Sequence, residues 1–495
     1  MEKRILNGYN EEDRRIYERS ARLILLMAMR DVVPGATVRF EHSIGHGIYM
    51  NVSGVSLKAS LVRKIEARMH EISRQDFPIV KSRWTREQAV EFFKGVGQED
   101  TVRLLGYRPY DYFDIYTCDV FSEYFYGAMA ASTGEIRQFA LRFYYPGMVL
   151  LLPDRDLEGP PAPFVERPKL MRTYAQANES SHILQCESAA DLNDIIARGD
   201  ARTFIRVSEA LQERTSSDIA MQIVRRGARV VFVAGPSSSG KTTFANRLGT
   251  QLRVNGKKPI AISLDNYYIN RDQVPLRPDG KPDLECLEAI DVPLFNEQLV
   301  ELLAGREVEL PLYSFQTKCR EPKGVPMRAG EDQILIVEGI HGLNAALSED
   351  IPSEYKFRIY VSALTQLNLD CHNRIRTTDV RLLRRMVRDY RTRSTDAIST
   401  MAMWKSVREG EEKYIFPFQE SADVMFNSAL LYEIAVLKKY AYPMLKSVPR
   451  DNEFYTLSRR LVKFLNYFLD CREENEIPPT SIMREFIGGC TFYGE

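Results

Sequence analysis

The fold is decided by the stretch Arg229-Val-Val-Phe-Val-Ala-Gly-Pro-Ser-Ser-Ser-Gly-Lys-Thr-Thr243. Its apolar, β-branched run, 230–233, predicts a fully buried strand that ends at a glycine. The spacing Gly-x-x-x-x-Gly-Lys-Thr over 235–242 is that of a Walker A phosphate loop. In such a loop the glycines allow a sharp turn, and successive backbone N–H groups point at phosphate oxygens. The stretch therefore predicts a nucleoside triphosphate site.

The residues after the loop predict a helix, because Phe244, Leu248 and Leu252 fall on one helical face. The N-terminus of that helix favours bound anions. Lys241 is expected to reach the β- and γ-phosphates of ATP, and the Thr242 hydroxyl to hold Mg²⁺. A Gly/Ser-rich turn that binds nothing would not account for the Lys-Thr pair. The expected nucleotide-binding residues of the loop are Gly235, Pro236, Ser237, Ser238, Ser239, Gly240, Lys241, Thr242 and Thr243.

Length and composition indicate a globular protein of two or three domains, with 495 residues, 44% hydrophobic and 27% charged. Lys+Arg and Asp+Glu both number 67, so overall charge gives no reason to expect a nucleic-acid or membrane partner. Seven scattered cysteines form no C-x-x-C pair, which argues against a zinc ribbon and fits reduced thiols. Apolar runs are too short to span a bilayer and no secretory signal is present, so a cytoplasmic location is expected.

The N-terminal third, residues 1–152, alternates helical and strand-like patterns and predicts an α+β domain. Amphipathic helices are predicted over 12–30 and 56–73, and Thr85-Arg-Glu-Gln88 indicates a capping box at the start of another helix. His42 and His46 are four residues apart, which on a helix can bind a metal. Glycines at 45 and 47 and strand-like neighbours favour turn or surface histidines instead.

Several pieces of this third resemble the editing-type domain of threonyl-tRNA synthetases. They include Arg19-Ser-Ala-Arg-Leu23, Gly47-Ile-Tyr-Met50, Thr85-Arg-Glu-Gln-Ala-Val-Glu-Phe-Phe93 and Ser132-Thr-Gly-Glu-Ile136. That family's His-x-x-x-His falls here on Arg19 and Leu23, and its Cys-x-x-x-His on Phe125 and Met129. None of the four offers an imidazole or thiolate ligand. The resemblance therefore implies a fold that has lost its hydrolytic site and serves binding, regulation or dimerisation.

Three further segments follow this third. Residues 153–170 are rich in proline and charge and read as an interdomain linker. Residues 171–430 contain the phosphate loop and are expected to form the kinase domain. Residues 431–495 predict a C-terminal helical extension, with a short helix near Ile477–Phe486. The extension shows no chemistry, and we expect it to pack against the kinase domain or a second subunit of a homo-oligomer.

Two acidic residues are predicted at strand ends beside the loop. The run Pro259-Ile-Ala-Ile-Ser-Leu-Asp265 indicates a second buried strand, which makes a βαβ unit and a parallel sheet with the first. Ligands of such sheets sit beyond the carboxyl ends of the strands, so Asp265 should share an edge with the loop. There it can take the proton of an attacking hydroxyl or help to hold Mg²⁺. A third strand, 333–340, ends in Glu338, which is the analogue of the Walker B acid.

A further segment, Asp379 to Arg393, is dense in arginine, at positions 381, 384, 385, 388, 391 and 393. A solvated basic helix or a nucleic-acid contact would give the same pattern. In a phosphate-loop enzyme such a helix more often closes over the transferred phosphoryl group. We expect a lid.

Five motifs resemble the uridine kinase/phosphoribulokinase family in order and spacing. They are Gly-Pro-Ser-Ser-Ser-Gly-Lys-Thr-Thr, Ser-Leu-Asp-Asn-Tyr-Tyr, Tyr-Ser-Phe-Gln-Thr-Lys-Cys-Arg, Val-Glu-Gly-Ile-His and Arg-Leu-Leu-Arg-Arg-Met-Val-Arg-Asp. The resemblance covers about residues 225–430. It implies an α/β fold with helices on both faces of a parallel sheet, and phosphorylation of a sugar 5′-hydroxyl by ATP and Mg²⁺.

The resemblance also implies site roles. Asp265 matches the general base, and Thr242, Glu338 and Asp265 match the metal site. Arg384 and Arg388 are expected at the transferring phosphates and Arg393 at the nucleotide. The expected acceptor-binding residues are Tyr268, Asp283, Tyr313, Phe315, Lys318 and Arg381.

One departure from the family keeps alternatives open. Uridine kinases have a histidine at the position of Lys318, and lysine has three donors and no acceptor, so reading of the base must change. The leading hypothesis is a nucleoside kinase with a small-molecule substrate. A second is a kinase for another hydroxylated substrate, such as a sugar phosphate or pantothenate. A third is an ATP-switched RNA-binding regulatory protein.

Overall fold

The computed structural model describes residues 6–277, 280–314 and 317–493; Phe315 lies outside the described residues. The helices are α1 (Glu11–Val32), α2 (Ala59–Gln75), α3 (Arg86–Gly95), α4 (Glu99–Tyr107), α5 (Pro168–Ile183), α6 (Ala189–Ala197), α7 (Ala201–Arg226), α8 (Lys241–Val254), α9 (Val292–Leu303), α10 (Thr377–Arg393), α11 (Ala397–Tyr414), α12 (Glu433–Lys446), α13 (Tyr455–Leu465) and α14 (Ile482–Ile487). None of these helices is both long and apolar enough to cross a membrane.

The strands are β1 (Thr37–Ile44), β2 (Gly47–Ser53), β3 (Ile79–Thr85), β4 (Tyr112–Cys118), β5 (Phe121–Tyr124), β6 (Ala140–Tyr144), β7 (Gly147–Leu151), β8 (Val230–Ala234), β9 (Lys258–Ser263), β10 (Glu307–Leu310), β11 (Tyr313–Ser314), β12 (Cys319–Arg320), β13 (Val325–Arg328), β14 (Gln333–Glu338), β15 (Lys356–Ser362) and β16 (Val424–Asn427).

A five-stranded parallel sheet with the order β16-β15-β8-β14-β9 positions the phosphate loop. The strand before the loop, β8, is buried along its whole length, because its residues are apolar and it has a strand on either side. Val233 of β8 pairs with Glu338 of β14, and Glu338 pairs with Ser263 of β9. The carboxyl ends of all three strands therefore meet at one edge, and the predicted α/β fold is confirmed.

Helices cover both faces of this sheet. On one face Phe244 and Leu248 of α8 belong to the same core as Val231 and Val233 of β8. On the other face Phe295 and Leu299 of α9 join Phe232 and Leu335. Alternate residues of the central strands thus point into two separate cores, as expected for a sheet that is buried on both sides.

The N-terminal third contains two antiparallel sheets, one with the order β1-β2-β7-β6 and one with the order β3-β4-β5. The predicted helices are present as α1 and α2, and the capping box is present at Thr85 and Gln88. His42 and His46 do not meet. His42 is buried and stacks on Tyr174 with ring centroids 3.5 Å apart, whereas His46 is exposed beside Asp154. The two rings therefore do not form a shared metal site.

The predicted linker has no regular structure until Pro168, where α5 begins. Helix α5 was not predicted, and it is fixed to the kinase region because Lys169 Nζ donates to the carbonyl oxygens of Glu420 and Ala422, at 2.9 and 2.5 Å. The stretch after residue 168 therefore belongs structurally with the kinase region.

The N-terminal third and the C-terminal helices share one core. Phe93, Leu104 and Phe113 lie in the same apolar cluster as Leu461 of α13 and Phe486 of α14. The C-terminal segment therefore packs between the N-terminal sheets and the kinase sheet, against the body of this chain.

Candidate active site

The phosphate loop has the backbone shape that its glycines predict. Gly240 has a φ of +81° and forms the N-cap of α8, and Ser238 also lies in the left-handed region, with a φ of +58°. A side chain at Gly235 would collide with the carbonyl of Val361 on the neighbouring strand. These positions hold the loop tightly against the sheet, with the first turn of α8 facing the cleft.

Several polar groups of the loop are left for a ligand. The hydroxyls of Ser238 and Ser239 are buried and have no hydrogen-bond partner among the described residues. The Lys241 ammonium makes only long contacts, 3.4 Å to the carbonyl of Pro236 and 4.0 Å to Glu338 Oε1. Buried hydroxyls and an incompletely paired ammonium at a helix N-terminus suit a phosphate chain.

Two carboxylates lie at the same sheet edge as Lys241. Asp265 follows β9 directly, and Glu338 is the last residue of β14. Burial raises the pKa of Glu338 to about 7; Lys241 opposes the shift, while Asp265 and Glu485 add to it. Asp265 is exposed at the open side of the cleft, but the protein atoms around it displace water and raise its pKa, and here Lys241 and Arg393 oppose the shift. The structure thus brings the predicted base, acid and lysine into one electrostatic neighbourhood.

The residues present suit a magnesium–nucleotide complex. Thr242 is exposed, and its hydroxyl lies close enough to the Glu338 carboxylate to lower the pKa of Glu338. Within the described ranges, no group of three His, Cys, Asp or Glu residues forms a complete metal cage. Mg²⁺ bound to ATP takes most of its ligands from water and phosphate and needs only one or two protein oxygens. A hydroxyl beside a carboxylate meets that need.

The expected acceptor side is partly assembled. The rings of Tyr268 and Tyr313 lie 5.6 Å apart at 48°. Asp283 accepts a hydrogen bond of 2.8 Å from the Tyr414 hydroxyl of α11. Lys318 is exposed directly before β12, with a φ of +61°. The sequence prediction missed Arg320, which donates to the carbonyls of Tyr267 and Tyr268, both at 3.0 Å, and fixes this wall.

Two arginines of α10 lie in places that the lid hypothesis does not predict. Arg381 and Arg384 are 1% and 0% exposed. Arg381 pairs with Glu411 and donates from Nε to the carbonyl of Ser237 at 2.9 Å. Arg384 pairs with Glu433 at 2.5 Å. Because both guanidinium groups are enclosed beneath the loop, Arg381 has no path to a sugar and Arg384 none to the transferring phosphates. They support the loop from behind.

The other arginines of α10 reach the loop and the cleft. Arg385 donates to the Ser237 hydroxyl at 2.7 Å, and Arg388 bonds to Asp389 at 2.8 Å. Arg393 is 57% exposed and contributes to the electrostatic field at Asp265. Helix α10 packs against α11, α12 and α14, and Arg393 in its last turn is more exposed than Arg385 or Arg388.

The short helix α14 reaches the nucleotide side of the loop, which the sequence prediction missed. The Thr243 hydroxyl lies 2.8 Å from Glu485 Oε2 and 2.5 Å from the Tyr493 hydroxyl. Ile482 packs so closely on Gly240 that a side chain at 240 would lie 2.5 Å from it. Glu411 is another missed residue, and it accepts the backbone N–H of Ser237 at 2.9 Å. No local pattern marks these residues, because their partners are distant in sequence.

A glycine-rich loop between a buried strand and a helix, with acidic groups on the neighbouring strand ends of a parallel sheet, defines a phosphate-loop kinase. The family model described as "Phosphoribulokinase / Uridine kinase family" matches residues 230–435. A uridine kinase of Yersinia pestis is 31% identical over 201 residues, which are 40% of this chain and 85% of that protein. The chain belongs to this family.

Other similar proteins match the same region. A uridine kinase of Lactobacillus helveticus is 29% identical over 198 residues, which are 40% of this chain and 84% of that protein. A solved structure described as a possible uridine kinase from Bacillus stearothermophilus is 20% identical, covers 43% of this chain and 98% of its own, and has a TM-score of 0.30. These alignments leave more than half of the chain unmatched.

Proposed function

We propose that this protein transfers the γ-phosphoryl group of ATP to the sugar 5′-hydroxyl of a nucleoside. The observation that carries the proposal is the shared sheet edge of Lys241, Asp265 and Glu338, next to a loop with unpartnered buried hydroxyls. The family of the kinase region, and the relatives named as uridine kinases, support the same reaction.

In this mechanism Asp265 accepts the proton of the 5′-hydroxyl. The hydroxyl oxygen forms a bond to the γ-phosphorus while the bond from that phosphorus to the bridging oxygen of ADP breaks. The proton remains on Asp265 and ADP leaves with the electron pair of the broken bond. Lys241 and Arg393 stabilise the negative charge of the transferred group. The raised pKa of Asp265 makes it a stronger base than an aspartate with an ordinary pKa.

Thr242, Glu338 and Asp265 would hold Mg²⁺, which when bound neutralises charge on the β- and γ-phosphates. Glu338 has to be ionised for this role. Lys241 favours the ionised form, and burial and the neighbouring carboxylates of Asp265 and Glu485 oppose it. The metal site is therefore expected to strengthen as the pH rises through about 7.

The acceptor pocket is proposed between Tyr268 and Tyr313, with Asp283 binding sugar hydroxyls. Tyr414 donates to Asp283 Oδ2 and holds that carboxylate in place, which leaves Oδ1 facing its own loop, where Glu285 N donates at 3.3 Å. Phe315 and Lys318 remain predictions for the base-reading side. The residues on this side would determine which base is accepted, because the phosphoryl-transfer groups would not contact the base.

For the N-terminal third we propose a fold like the threonyl-tRNA synthetase domain without its hydrolytic activity. Arg19, at the first ligand position, donates to the carbonyls of Tyr126 and Ala128, and Leu23 and Phe125 are buried core residues. These side chains fill the place of a metal site with packing and hydrogen bonds. The RNA-binding alternative loses its main support, because Arg381 and Arg384 are enclosed and paired. A homo-oligomer remains a prediction.

The test is Asp265→Asn, assayed with labelled ATP and a panel of acceptors. We expect turnover to fall by about 10²–10⁴-fold on every acceptor while ATP binding is retained. Near-normal turnover would refute Asp265 as the base. Within the panel, phosphorylation of uridine or cytidine supports the proposal. Phosphorylation of only sugar phosphates or pantothenate would favour the second hypothesis and would refute nucleosides as the substrate class.

A further inference from the structure

A second positively charged site lies outside the kinase cleft. It is a cavity of about 30 Å³ between α1 and residues 369–379, which lead into and begin α10. Five arginines and two carboxylates line it, so the lining side chains carry three more positive than negative charges. The charged lining residues are Arg15, Arg19, Arg22, Arg374, Arg376, Glu18 and Asp379.

The carboxylates of the cavity are already engaged. Glu18 is shared between Arg374, at 3.2 Å, and Arg376. Asp379 accepts from Arg15 at 2.8 Å and also from Arg460, which lies outside the lining, at 2.6 Å. Two carboxylates outside the lining pair with the same arginines: Glu11 lies 2.6 Å from Arg15, and Glu12 lies 2.8 Å from Arg19.

Once the pairing of Arg19 with Glu12 is included, Arg22 is the lining arginine that has no ion pair among the described residues. It is 5% exposed, and its NH1 donates to the carbonyl of His372 at 2.9 Å. Its Nε has no hydrogen-bond partner among the described residues. The guanidinium lies over the rings of Phe40 and Phe125, 5.3 and 5.5 Å from their centroids. A buried charge without a hydrogen-bonded counter-charge is costly.

The pKa values of two lining arginines are lowered, as expected for positive charges that are buried beside one another. Burial lowers the pKa of Arg22 to about 10; Glu18 opposes the shift, and Arg374 and Arg19 add to it. Burial also lowers the pKa of Arg376 to about 9, again against the effect of Glu18. The N-terminus of α10 begins beside Arg376 and adds its own partial positive charge.

We propose that this cavity binds an oxyanion of phosphate size, held by Arg22 together with Arg374. Guanidinium N–H groups form paired hydrogen bonds with phosphate oxygens. An oxyanion would give Arg22 the hydrogen-bonded counter-charge that it lacks. The site is distinct from the phosphate loop, since Arg22 belongs to α1 and contacts His372 in the segment before α10.

The test uses the full chain with Lys241→Ala, which weakens phosphate binding at the loop, and inorganic phosphate as the probe. The midpoint of thermal unfolding is measured in phosphate and in chloride at equal ionic strength. We expect phosphate to raise the midpoint by about 2 °C or more. Adding Arg22→Met should abolish the rise. Adding Arg30→Met, an exposed arginine on the same helix, should leave it unchanged. No rise in the Lys241→Ala protein would overturn the proposal.

A second measurement separates an anion site from a structural role of Arg22. If the arginine awaits an anion, Arg22→Met alone should unfold in chloride at the same temperature as the parent protein or higher. A midpoint lowered by the same amount in both salts would mean a structural role and would overturn the proposal. A rise with succinate but none with phosphate would also overturn it, because the cavity would then select a carboxylate.

Discussion

Two arginines of α10 differ in burial and therefore in the role that each can have. Arg384 is completely enclosed and pairs with Glu433, which is itself 2% exposed. Arg393, nine residues later, is 57% exposed and lies 3.6 Å from Asp389. The first therefore has a structural role beneath the loop, and the second is free to move toward a bound phosphate.

Arg384→Met should lower the free energy of unfolding by about 3–5 kcal/mol, because it leaves the Glu433 carboxylate buried without its partner. Arg393→Met should change stability by less than about 0.5 kcal/mol and act on turnover instead. Urea denaturation followed by circular dichroism measures both values. Equal effects of the two substitutions on stability would contradict the difference in burial.

The raised pKa of Glu338 predicts a pH dependence. With a pKa of about 7, the carboxylate is mostly protonated at pH 6 and mostly ionised at pH 8. Since only the ionised form binds Mg²⁺ well, turnover at limiting Mg²⁺ should rise roughly tenfold from pH 6 to pH 8. Saturating Mg²⁺ should reduce the dependence, because the metal itself favours the ionised form. A flat profile at limiting Mg²⁺ would contradict the assignment.

Helix α14 is the element whose role was least accessible from sequence. The strands β8, β9 and β14 are predicted by their apolar runs, and the acids at their ends follow from the parallel topology. No comparable sequence rule predicts where a six-residue helix packs. Its place beside the loop depends on contacts such as Thr243 with Glu485, 242 residues apart, and on the fit of Ile482 against Gly240.

The burial of two α10 arginines could not be predicted for the same reason, because it depends on partners that are distant in sequence. Helical spacing correctly predicts a helix over 377–393, but burial of Arg381 and Arg384 depends on Glu411 and Glu433, which arrive on later helices. A charged residue is ordinarily expected at the surface, so a buried pair cannot be inferred from one partner alone.

In helix α14, the substitution Glu485→Gln should tighten ATP binding by about two- to fivefold. The Glu485 carboxylate lies 2.8 Å from the Thr243 hydroxyl and contributes negative field at Glu338, so it repels phosphate at the loop. Binding of ATP measured by calorimetry tests this, with the exposed Glu453→Gln as the matched control. Weaker binding in Glu485→Gln would mean that the carboxylate orders the site through Thr243.

Ion pairs and hydrogen bonds connect the N-terminal third, the kinase region and the C-terminal helices. Asp379, at the start of α10, pairs with Arg15 of α1 and with Arg460 of α13. His372 contacts Glu123 at 2.8 Å, and the carbonyl of Phe40 accepts from Asn368 at 2.7 Å. Through these contacts the N-terminal third, the kinase region and the C-terminal helices pack together, although composition alone suggests separate domains.

Asp379→Asn should therefore lower the free energy of unfolding by about 3–5 kcal/mol at pH 7, since two buried arginines lose their buried carboxylate and keep only Glu11, 2.6 Å from Arg15, and Glu12, 3.9 Å from Arg460. Arg15 and Arg460 hold the pKa of Asp379 far below its usual range. Its contribution is thus fully present above the unfolded-state pKa, about 4, and is lost as the pH falls toward the folded-state value. Denaturation between pH 3 and pH 7 should show a smaller acid-induced loss in the variant; an equal loss would contradict the pairing.

The shared core has a consequence for synthesis on the ribosome. The Tyr124 hydroxyl bonds to that of Tyr467, 343 residues later. At about 5–20 residues per second, the first sheets wait roughly 20–70 s before the helix that completes their packing is translated. Throughout that interval Phe93 and Leu104 lack their final neighbours, and the apolar surface that they form stays open to contact with other chains.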